Sequence, residues 1–133
     1  MFCALVLTVS MLAVPASAAS HRENLKAYIY GGAVVSSVSA KKERSGNYNY
    51  SASPYTSDGW SARGDEWVYI RGRHQNYAQA TNFARINYTG RQKDGSLTYL
   101  SGYGKMNDYY RVAIEYDNNN PYQYVYLAVS WNP

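Results

Sequence analysis

The chain has 133 residues, with 13 Lys and Arg against 9 Asp and Glu, a net charge of +4, 16 Tyr and a single Cys. That length predicts one domain, and the lone Cys3 excludes a disulfide framework, leaving an apolar core and a sheet ladder to hold the fold. Opposite charges sit side by side in Lys41-Lys42-Glu43-Arg44 and Arg63-Gly64-Asp65-Glu66, so no basic tract points to nucleic acid.

Met1 to Val14 is almost wholly apolar and leads through Pro15 to the small-x-small run Ala16-Ser17-Ala18. The pattern predicts a secretory signal peptide over 1–18 and an exported domain over 19–133. The apolar run falls short of the ~20 residues that span a bilayer, so no stable transmembrane anchor is expected.

Beyond it, period-two runs rich in Tyr, Val and Ile replace helical periodicity. They predict strands near 26–38, 46–52, 66–73, 82–91, 96–103, 109–116 and 123–131. Gly31-Gly32 suggests a bulge or bend within the first. Ser57-Asp58-Gly59 and the stretch from Gly102 to Asp108 read as loops, and Asp94-Gly95 as a type I′ hairpin turn. Asp117-Asn118-Asn119-Asn120-Pro121 closes the next connection. Seven short strands in one exported domain predict an all-β antiparallel sandwich, with a small barrel as second choice.

Alternation assigns the faces. Val68 and Ile70 turn inward, and Trp67, Tyr69, Arg71 and Arg73 outward. Ala84, Ile86 and Tyr88 oppose Phe83, Arg85 and Asn87. Tyr110, Val112, Ile114 and Tyr116 oppose Tyr109, Arg111 and Glu115. Val125, Leu127, Val129 and Trp131 oppose Tyr124 and Tyr126.

No catalytic constellation emerges, so no enzyme activity and no cofactor are expected. His21 and His74 lie far apart, and no Cys accompanies them for nucleophilic chemistry or zinc. Asp65 and Glu66 face opposite sides of a strand, while Glu115 and Asp117 share a face that a solvated surface explains. Asp117 to Asn120 lacks the alternating spacing of a calcium loop and reads as a turn. Arg63-Gly64-Asp65 matches the tripeptide read by animal integrins, and a chance match explains it. Asn49-Tyr50-Ser51 and Asn87-Tyr88-Thr89 are glycosylation acceptors in a eukaryotic host alone.

The richest functional signal is the row Trp67, Tyr69, Arg71 and Arg73, with Trp60, Tyr48 and Tyr50 expected nearby. Rings stack on sugars or bases, and guanidinium groups contact phosphate or carboxylate. The bland alternative is that the same pairs stabilise a solvated sheet face. The expected partner is a cell-wall or other surface polymer, and tyrosine rows also suit self-association.

In the C-terminal half, Gly102-Tyr103-Gly104, Tyr109-Tyr110-Arg111-Val112-Ala113, Asp117-Asn118-Asn119-Asn120 and Trp131 resemble small exported proteins of Gram-positive bacteria from an uncharacterised domain family. In size and tyrosine-rich β content these are similar to lactococcin-type bacteriocins. The resemblance implies a bacterial, secreted β-sandwich and carries no functional residue. Three functions follow as expectations: a non-catalytic surface-binding protein first, then a bacteriocin-like toxin of the cell envelope, then a self-assembling matrix protein.

Overall fold

A computed structural model describes residues 21–28, 31–54, 67–87, 92–116 and 124–133. Their nine strands are β1 (His21–Tyr28), β2 (Val34–Val35), β3 (Ala40–Lys41), β4 (Tyr48–Pro54), β5 (Trp67–His74), β6 (Gln79–Asn87), β7 (Lys93–Leu97), β8 (Tyr109–Tyr116) and β9 (Tyr124–Asn132). They form two antiparallel sheets packed face to face, a β-sandwich with no helix among the described residues. Sheet I runs β1-β9-β4-β7. Sheet II runs β2-β8-β5-β6, with β3 also paired to β8. The signal-peptide expectation falls outside the described residues, as do Trp60, Tyr88, the loop at Ser57, Arg63-Gly64-Asp65 and the turn from Asp117 to Pro121.

Period-two alternation builds the core. Sheet I contributes Leu25, Ala27, Val125, Leu127, Val129 and Trp131, and sheet II contributes Val68, Ile70, Val112 and Ile114, all buried. Two large rings bridge the layers. Tyr48 reaches from β4 to donate its hydroxyl to the Arg111 carbonyl on β8 at 2.9 Å. Trp131 Nε1 donates to the Tyr110 carbonyl at 3.4 Å. A buried phenol or indole needs such a partner, and the strand opposite supplies it.

Several sequence expectations need correction. Tyr48 and Tyr50 do not join the outer face of β5. They are buried on the inner face of sheet I. Asp94-Gly95 is no hairpin turn, because it lies within β7, where Tyr50 pairs with Gly95. Glycine is there for room: a Cβ would sit 2.4 Å from the Tyr50 hydroxyl. The expected strand 26–38 is two strands in two sheets, β1 and β2, with Gly32 at φ 72° between them. The expected strand 96–103 ends at Leu97, followed by a single bridge from Tyr99 to Thr81.

β2 and β3 are pieces of one edge interrupted around Ser36. The buried Ser36 hydroxyl donates to the Val38 carbonyl and accepts from Val112 N–H. Arg111 donates to the Ser36 and Ser37 carbonyls, satisfying backbone that the ladder leaves open. The Glu23 carboxylate on β1 accepts from Ser37 N–H, tying this edge to the other sheet.

Candidate functional site

β5 is central in sheet II, and its register fixes what surrounds the predicted row. Tyr69 stands between Glu115 and Arg85, Arg71 between Ala113 and Phe83, and Arg73 between Arg111 and Gln79. Trp67 pairs with the Asn87 position. Inward of them, Val68 and Ile70 are wholly buried, so the outward row stands on a packed floor.

The structure brings Trp67, Tyr69, Arg71 and Arg73 onto one half-exposed face, as alternation predicts. It adds Phe83 and Arg85 from β6. The Arg85 guanidinium lies 4.3 Å from the Trp67 ring centroid and 6.0 Å from that of Tyr69. Tyr69 meets Phe83 edge to face at 5.4 Å, and the Arg71 guanidinium lies 5.3 Å from the Phe83 ring. Rings and cations therefore form one strip from Trp67 through Arg85, Tyr69 and Phe83 to Arg71. Cation–π attraction of this kind contributes ~0.5–1 kcal/mol per exposed contact and favours keeping each guanidinium near a ring.

Arg73 and Arg111 extend the strip's charge. They are directly opposed across β5 and β8, a like-charge pairing that costs stability. Arg73 donates to the Tyr77 carbonyl at 2.8 Å, and Arg111 lies over the Tyr77 ring at 5.0 Å. The Nε atoms of both are buried without a hydrogen-bond partner. Among the described residues, Arg71, Arg73, Arg85 and Arg111 thus share one face with the single carboxylate Glu115, a surface that favours anions.

Sequence reasoning turned Phe83 and Arg85 outward but left them unjoined to the β5 row. The missing information was the β5–β6 register, bent by an irregularity between Arg71 and Arg73. Trp60 lies outside the described residues.

Elsewhere, His74 closes β5 rather than following it, 3.9 Å from the Asp108 carboxylate, with Nδ1 2.9 Å from Asn76 Oδ1. Its ring packs on Tyr103 and Tyr110, and Tyr110 packs on Tyr99, so these groups belong to an aromatic end of the core. On the outer face of sheet I, small residues leave a shallow hollow of about 250 Å³ beside Asn49, Ser51, Ser130, Asn132 and Asp94. Hydrogen bonds from Ser51 and Gln92 hold the Asp94 carboxyl below its ordinary pKa. Among the described residues no three His, Cys, Asp or Glu side chains converge as metal ligands. No protein-family profile, curated protein or solved structure matches the chain.

Proposed function

We propose that the protein is an exported, non-catalytic binding domain whose sheet II face engages a polymer carrying both sugar rings and anionic groups, of the kind found in cell walls. The supporting observation is the mixed aromatic and cationic strip of Trp67, Arg85, Tyr69, Phe83 and Arg71 across the paired strands β5 and β6. Its rings offer flat apolar area to sugar faces, and guanidinium groups pair well with phosphate or carboxylate oxygens. A row of strand side chains spaced at about 7 Å per alternate residue suits an extended repeating ligand better than a compact one.

Co-sedimentation with purified Gram-positive cell wall tests this reading. Replacing Trp67 and Arg71 together by Ala removes one ring and one guanidinium from the strip's two ends. Two such anchors at ~1–2 kcal/mol each predict attachment weakened ~30- to 1000-fold, with an unchanged circular dichroism spectrum. Attachment should also fall with added salt, because exposed guanidinium groups are screened. Undiminished attachment of the double variant would remove this face from consideration.

A further inference from the structure

The opposite face of the sandwich carries a second aromatic assembly, independent of the strip. On the outer side of sheet I, Lys26 pairs with Tyr126 and Tyr28 with Tyr124 in adjacent rows of β1 and β9. The Lys26 ammonium lies 3.9 Å from the Tyr124 ring centroid, 5.1 Å from that of Tyr126 and 5.2 Å from that of Tyr28. The rings are mutually tilted, Tyr28 on Tyr124 by 54° and Tyr124 on Tyr126 by 82°, so they wall a single point from three sides. Among the described residues no carboxylate forms an ion pair with Lys26. The attraction at that point therefore comes from ring faces and phenol oxygens.

We propose that Tyr28, Tyr124 and Tyr126 form a receptor for a quaternary ammonium group, and that Lys26 is a resident occupant which such a ligand displaces. A cation already lying among three rings shows that the cage attracts positive charge. A primary ammonium is nevertheless a poor fit. It is strongly hydrated and carries three donors, and the cage offers it an acceptor in the Tyr28 hydroxyl. A trimethylammonium group has no donors to satisfy and spreads its charge over methyl surface, so it takes the same ring attraction with less lost hydration. Lys26 also surrenders rotamer freedom to stay in place, and released from the cage its long stem reaches solvent from a half-exposed position. Tyr28 is 51% exposed, and Tyr124 and Tyr126 are partly exposed.

Choline chloride titrated against sodium chloride at equal ionic strength, followed by tyrosine ring-proton NMR shifts, tests the proposal. Lys26→Gln vacates the cage, and if Lys26 fills it nine-tenths of the time the half-saturation concentration should fall ~10-fold. Tyr124→Ala in the Lys26→Gln background should abolish saturation. Lys26→Met, which keeps the stem without donor or charge, should tighten choline binding as Gln does, and serves if the amide disturbs the sheet. Saturation in the vacated protein that survives Tyr124→Ala would overturn the proposal, as would its absence from both vacated variants. Vesicles identify the source of the group. Tyr124-dependent sedimentation with phosphatidylcholine places it on a lipid, whereas choline saturation without sedimentation places it on a soluble or polymer-borne ligand. Sedimentation with phosphatidylglycerol that Lys26→Gln abolishes, without choline saturation, would make Lys26 an anion contact and contradict the cage.

Discussion

Gly72→Ala tests the sandwich packing through the sign of its effect. Gly72 lies on the inner side of β5 and is not among the residues with positive φ, so its backbone suits alanine. With free space around it, Ala would stabilise by ~0.4–1 kcal/mol through the unfolded chain. The space is not free. A Cβ would come within 2.8 Å of Thr81 Cγ2 and 2.9 Å of Tyr48 Cδ2 and Cε2. Neither neighbour can swing aside: Tyr48 is wholly buried and hydrogen-bonded to Arg111, and Thr81 Oγ1 accepts from Gly72 N–H while donating to the Asn82 carbonyl. Overpacking of this kind costs ~1–3 kcal/mol, which exceeds the chain-entropy gain and leaves a net loss near 1–2 kcal/mol. With an m-value of ~1–2 kcal/mol/M for a domain this small, urea denaturation should show a midpoint lower by about 1 M at unchanged m. A midpoint equal to or above that of the wild type would refute the packing of Tyr48 against β5.

Three further outcomes follow from the buried and exposed aromatics. Tyr99 has a buried hydroxyl without a partner, so Tyr99→Phe should be neutral or stabilising in urea melts, whereas Tyr48→Phe loses its bond to Arg111 and should cost ~1 kcal/mol. Trp131→Ala should cost ~3–5 kcal/mol at its buried site, and Trp67→Ala on the open face clearly less; equal losses would mean that Trp67 is core. Burial raises the Tyr48 hydroxyl well above its ordinary pKa of 10.0, and Tyr50, Tyr99 and Tyr110 are raised chiefly for the same reason. A phenol raised on folding contributes stability that is complete below the unfolded value and is lost as pH climbs towards the folded one. Stability should therefore fall above about pH 10, with tyrosinate absorbance appearing together with unfolding; ionisation of every tyrosine in the folded protein would contradict this.

Much of the fold is legible in single strands. Val68 and Ile70, the inner row of β8, and Val125 to Trp131 on β9 follow the alternation, interrupted by the small outward residues Ala113 and Ala128, which are buried as well. Where reading fails, the cause lies on another strand. Asp94-Gly95 has turn chemistry, but the glycine answers to Tyr50 on β4, which no local pattern reveals. Tyr48 and Tyr50 read as neighbours of the β5 row, but both are buried and Tyr48 has its acceptor on β8. The site follows the same rule. The β5 row is visible as alternation within one strand, while its junction with Phe83 and Arg85 needs the β5–β6 register. The tyrosine cage is harder still. Lys26 and Tyr28 share a period-two face, as do Tyr124 and Tyr126, but β1 meets β9 from opposite ends of the domain.

The most direct measurement is a backbone and side-chain NMR map of the protein titrated with a soluble cell-wall polymer fragment. Shifts gathered on Trp67, Tyr69, Arg71, Phe83 and Arg85, with Val129 and Leu127 across the core undisturbed, are the predicted result. Shifts confined to the outer face of sheet I or to the edge strands β1 and β7 would contradict the assignment of binding to the strip.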